Sequence, residues 1–137
     1  MANLLLNKII NKSLAGRDLL VDELNDEIEC GNVSDIEIIE VVNQLSAILS
    51  DESDPAVMES IFNLFGGAFD RVGIQEGALR VIVSLLGSLS SGCLVHAIPI
   101  VTHSALPESA SLIVPFLTSS NVAVRAIAES SMQSISN

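Results

Sequence analysis

The chain has 137 residues, enough for one domain with a substantial core and too few to divide comfortably into two. Nearly half of them are apolar, yet there is no Trp, no Tyr and only four Phe, so the core has to be built from Leu, Ile, Val and Ala, a palette that favours helices. A formal net charge of −11, with only six Lys and Arg, opposes contact with phosphate backbones and argues against a nucleic-acid partner.

The first stretch, MANLLLNKIINKS, breaks its apolar residues with Asn7 and Lys8 and has no positive region ahead of them, so it makes a poor signal peptide and reads as the start of the mature protein. Its NLLLNKIINK run and the following RDLLVDELNDEIEC predict a first pair of helices, separated near Ala15 and Gly16. On the second of these, residues 17–30, Leu20, Leu24 and Ile28 are expected inward. Asp22, Asp26 and Glu29 form an outward stripe, flanked by Glu23 and Glu27. Cys30 closes this helix just before Gly31, a common terminator, and is expected to be a buried small hydrophobe.

In SDIEIIEVVNQLSAIL, Ser34 and Glu37 have the spacing of a capping box, and Ile38, Val41, Val42, Leu45, Ile48 and Leu49 follow a 3.6-residue period. In DPAVMESIFNLFGGAF, Asp54 is positioned to cap and Pro55 to take the first helical position, with Val57, Ile61, Leu64, Phe65 and Ala68 as the stripe. The doublet Gly66-Gly67 inside that stripe marks either close packing of a neighbouring helix or a frayed end.

The next pair is IQEGALRVIVSLLGSLS and GCLVHAIPIVTHS, divided by Ser and Gly at 90–92. Residues 81–107 contain no charged residue, but serines, glycines, His96 and Pro99 interrupt any run of about twenty apolar residues that a membrane span needs, so a buried helix pair is expected there. His96 and His103 stand two turns apart, about 10 Å, too far to share a metal, and read as partly buried structural histidines on a helix kinked by Pro99. Cys93 reads as buried; two cysteines are too few for a disulfide framework, which fits a cytosolic protein. Last come PESASLIVPFL, a polar TSSN break, and VAVRAIAESSMQSI with Val124, Ile127, Ala128 and Ile135 inward and Arg125, Glu129 and Gln133 outward.

Second helices thus begin near positions 17, 55, 92 and 121, at intervals of roughly 30 to 40 residues, the spacing of stacked helix pairs. The run LIVPFLTSSNVAVRAIAESSMQSI, residues 112–135, resembles a HEAT repeat: an apolar helix end around Pro115, a short polar turn, then Val-Arg and an Ala-rich helix. QLSAILSDESDPAVMESIFNLF, residues 44–65, resembles the same unit, departing at Met58 where the family often has the Arg that Arg125 provides. The resemblance implies an all-α fold over residues 1–137, a short α-solenoid of about four helical hairpins, HEAT- or armadillo-like, used as a binding surface and without a prescribed chemistry. An ordinary helical bundle would show the same amphipathic stripes.

Motifs for phosphate binding, metalloprotease, serine hydrolase or cysteine-metal chemistry are missing, and neither an enzymatic role nor a cofactor, metal or small-molecule substrate is expected. Charge carries the functional expectation. Residues 18–59 hold thirteen of the seventeen acids and no Lys or Arg, a concentration that solubility alone does not require. Positive charge clusters locally only at Lys8, Lys12 and Arg17. If the second helices line the concave side, as the resemblance implies, Asp22, Asp26, Glu29, Glu59 and Asn63 fall along one groove wall with Glu23 and Glu27 beside them. The expected function is capture and inhibition of a basic protein, most concretely by a bacterial immunity protein that neutralises a toxin domain such as a nuclease. The alternative is a scaffold subunit that docks through a partly exposed 81–107 segment.

Overall fold

The computed structural model describes residues 2–136, which form eight α-helices and, among the described residues, no strand. The helices are α1 (Ala2–Ile10), α2 (Arg17–Glu29), α3 (Asp35–Ile48), α4 (Pro55–Val72), α5 (Glu76–Leu85), α6 (Ser91–His103), α7 (Ser109–Ile113) and α8 (Val122–Ser136). Three short 3₁₀ turns, Leu49–Asp51, Leu86–Ser88 and Val114–Thr118, extend the ends of α3, α5 and α7.

Capping fixes most of these boundaries. At Ser34 the side chain accepts from the Glu37 N–H, and the Glu37 carboxylate accepts from the Ser34 N–H, a reciprocal pair that satisfies two orphan donors. Asp54, Ser90 and Asn121 accept in turn from the N–H groups of Ala56, Cys93 and Val124 and start α4, α6 and α8. So the same sequence of helix, 3₁₀ turn, polar cap and helix occurs three times. At the far end of α2, Gly31 (φ 80°) donates to the Ile28 carbonyl while Asn32 donates to that of Glu27, closing the helix with a turn that needs a left-handed residue.

Packing follows the parity of the helices. α2 lies against α4, α4 against α6 and α6 against α8, making one layer; α1, α3 and α5 are neighbours in a second layer, with α1 on α2 and α3 on α4. The buried side chains form one continuous cluster. Its centre is α4, which buries Val57, Ile61, Phe62, Leu64, Phe65 and Ala68 because it has neighbours in both layers; Phe62 and Phe65 meet edge to face with centroids 5.6 Å apart.

Some burial expectations hold and others are corrected. On α2 the fully buried residue is Val21 and Leu20 is half-buried: packed against both α1 and α4, the helix buries Val21, Leu24, Asn25 and Ile28. Ile135 is exposed near the end of α8, whose buried residues are Val124, Ala128 and the small Ser131 against α6. Cys30 lies exposed on the α2 terminus while Cys93 is buried. His103 is exposed and His96 half-buried. Arg125 is half-buried and donates to the Ser119 carbonyl at 2.9 Å. The 81–107 segment places Ile82, Leu86, Leu94, Ile98, Ile100 and Val101 in the core and leaves no large apolar side chain exposed. No helix of the described residues is long and apolar enough to cross a membrane.

Candidate functional site

The layer of even-numbered helices presents the most distinctive surface of the molecule. Asp22, Glu23, Asp26 and Glu29 are exposed on α2, and none of them has a cation within ion-pair distance among the described residues. Glu27 is half-buried and turned toward the α2–α3 link, accepting from the Asn32 amide at 2.9 Å. Glu59 is also set apart. Its carboxylate sits over the N-terminus of α6, 3.5 Å from the Ser90 hydroxyl, and is close enough to Gly92 that a Cβ there would collide with it. That is where a helix dipole and free N–H groups favour a negative charge, so Glu59 is engaged within the fold.

The cations are equally informative. Arg17 bonds the Ile9 carbonyl and forms a two-pronged pair with Glu52; Arg71 bonds Asp35 and the carbonyls of Ile28 and Val33; Arg80 pairs with Glu108. With Arg125 on Ser119, every arginine is held by a partner inside the molecule, and Lys12 donates to the Asp51 carbonyl. The expected basic cluster of Lys8, Lys12 and Arg17 therefore loses Arg17, which is buried. Negative charge on α2 is left without internal compensation.

Beside α2 the layer dips into a hollow of about 330 Å³ between α2, α4 and α6. Its shape comes from residues with little or no side chain. Gly66 faces His96, whose Nδ1 would lie 3.4 Å from an added Cβ, and Gly67 faces the Oδ1 of Asn25 at 3.5 Å, so the doublet lies inside α4, facing α6 and α2, and not at a frayed end. Pro99 on α6 lines the same hollow and leads through His103 into a second one of about 320 Å³ against α8, beside Ile127 and Ser130. Of the expected site residues, Glu29 and Asn63 meet in the first hollow, joined there by Asp70. Asp22, Glu23 and Asp26 do not line it and remain on the open side of α2.

Residues not anticipated from the sequence are Asn25, Phe69, Asp70 and the His96 ring as a wall. The glycine doublet and Pro99 were the signals that point to them. Burial is the main influence on His96 and pushes its pKa below the ordinary imidazole range against a smaller opposite pull from Glu59, so the ring is neutral at pH 7. Burial also raises the Cys93 thiol above its usual value, which keeps it protonated and unreactive. No cluster of three or more potential ligand side chains able to hold a metal is found among the described residues. Comparison with protein-family models, curated proteins and solved structures finds no match to this chain.

Proposed function

We propose that the chain is a short HEAT-like solenoid that acts by binding, and that the acidic face of α2 captures and blocks a basic protein, as an immunity protein blocks its toxin. The observation that carries this reading is the imbalance of charge: exposed carboxylates at Asp22, Glu23, Asp26 and Glu29 without a cation, in a molecule whose arginines are all engaged elsewhere. Side-by-side packing of α2, α4, α6 and α8 supports the solenoid, because stacked hairpins bring their second helices into one layer.

Unpaired like charges on one helix cost stability, about 0.2–0.5 kcal/mol per i,i+4 pair, and a cationic partner removes that cost on binding. Such a partner is steered in by the field and then held by charge-assisted hydrogen bonds. The test is retention of a basic protein in near one-to-one amount by the tagged chain, followed by assay of that protein's activity. Asp22→Lys/Asp26→Lys weakens the complex by roughly ten- to a hundredfold. Unchanged affinity in that variant removes α2 from the interface, and undiminished activity of the bound protein removes the inhibitory role.

A further inference from the structure

The hollow beside α2, which shares Glu29 with the outward acidic stripe, combines three properties. First, its floor is apolar, formed by Phe69, Val95, Pro99 and Ile100, and lies low because Gly66 and Gly67 contribute no side chains. Second, its polar lining sets two carboxylates beside Asn63, His96 and His103, which can also donate. Glu29 and Asp70 face it, and Pro99 has no N–H, so the carbonyl of Val95, one turn earlier on the same wall, receives no helical hydrogen bond from it. Third, the buried side chain at its edge is incompletely satisfied. Asn25 is 6 % exposed, its Oδ1 has no hydrogen-bond partner, and that oxygen is directed at the open position of Gly67, while its amide reaches only the Glu29 carboxylate at 3.5 Å.

We infer that this hollow is the anchor pocket for one cationic side chain, an arginine or lysine, of the basic partner. The inference rests on the capture reading above and adds the point at which the complex is fixed. An arginine fits the chemistry on both counts: its methylene stem covers Phe69 and Pro99, and its guanidinium donates to the Glu29 and Asp70 carboxylates. An anion is repelled by Glu29 and Asp70, and a wholly apolar occupant leaves those carboxylates covered and unpaired. The volume, about 330 Å³, lies at the small end of ligand sites and is ample for one long side chain. Pockets that lose their water when a partner docks are where interfaces concentrate their binding energy, and arginine is among the residues enriched there.

The experiment uses the full chain, isotopically labelled for NMR, and two probes: N-acetyl-arginine amide and an octa-arginine peptide, each titrated at low salt. The single arginine shifts the amide signals of Gly66, Gly67 and His96. Glu29→Gln/Asp70→Asn, both exposed positions and checked for fold by circular dichroism, weakens it at least about tenfold. Asp22→Asn/Asp26→Asn weakens octa-arginine several-fold more than it weakens the single arginine, whose shifts stay at Gly66, Gly67 and His96. Octa-arginine binding with shifts confined to residues 22–26 and none at Gly66 or Gly67 overturns the anchor and leaves capture by α2 standing. Failure of octa-arginine to bind the wild type overturns the capture reading, and the anchor with it.

Discussion

Arg17 links three parts of the chain through one guanidinium. Its Nε donates to the Ile9 carbonyl at 2.6 Å, near the end of α1, and its two other nitrogens reach Glu52 in the α3–α4 link at 2.6 and 3.1 Å. Both side chains are buried, at 6 and 2 % exposure, so removing one partner strands the other charge away from water. Arg17→Ala is expected to cost about 3–5 kcal/mol, read as a drop in the urea midpoint. Glu52 also accepts from the Asp54 N–H, and the hydrogen bond from Arg17 is the leading reason its pKa lies below the ordinary 4.5. A lowered folded-state value means the stabilisation is complete above about pH 4.5 and is lost as pH falls through the folded value. Glu52→Gln removes that part of the acid sensitivity, which paired acid titrations of wild type and variant measure. The cysteines provide a second check at this scale. Cys30 is exposed and Cys93 buried with a raised pKa, so iodoacetamide labels Cys30 in the native protein and Cys93 only on unfolding, as mass spectrometry resolves.

At the scale of elements, α2 sets stability against its surface charge. Asp22 stands one turn from both Asp18 and Asp26, so Asp22→Lys converts two repulsions into attractions and raises stability by about 0.5–1 kcal/mol, while it weakens the proposed capture. A higher melting temperature together with weaker binding of a basic partner is the expected signature; weaker binding together with a lower melting temperature points to damage of the fold instead. Gly67 on α4 is a different trade. An added methyl meets Asn25 at 3.5 Å, an ordinary contact, and removes the entropic cost of glycine in a helix, so Gly67→Ala is expected to stabilise by about 0.5–1 kcal/mol in thermal melts. The helix ends were largely legible beforehand: Ser34, Asp54, Asn121 and Gly31 do what their positions imply, since caps depend on residues within one turn. Burial around each helix was less so. Leu20 and Val21 both reach the core, Leu20 half-buried and Val21 fully, and how deeply each is buried depends on how α1 and α4 share that helix.

For the whole molecule, the dominant quantity is the uneven charge. Most of the acid lies in residues 18–59 while the arginines are held in internal contacts, so the net field persists around the folded chain. Salt screens that self-repulsion. Raising sodium chloride from about 0.01 to 0.15 M, which shortens the screening length from about 30 to 8 Å, is expected to increase the thermal midpoint of the free protein and to weaken capture of a cationic partner. Opposite signs of the two effects distinguish a charge-driven interface from an apolar one, whose affinity changes little over that range. The hollow beside α2 belongs to this scale too, because it exists only where α2, α4 and α6 meet.

The sequence by itself determined the helical composition, most of the caps and the concentration of carboxylates on α2, because each depends on residues a turn or less apart. Tertiary structure decided the rest. It removed Arg17 from a surface cluster by burying it against Glu52, and assigned Glu59 to the start of α6 through its contact with Gly92. It placed Glu29, Asn63 and Asp70 around one depression floored by Phe69 and Pro99. Those relations join residues on different helices, up to seventy positions apart between Glu29 and Pro99, and no local period encodes which helix faces which.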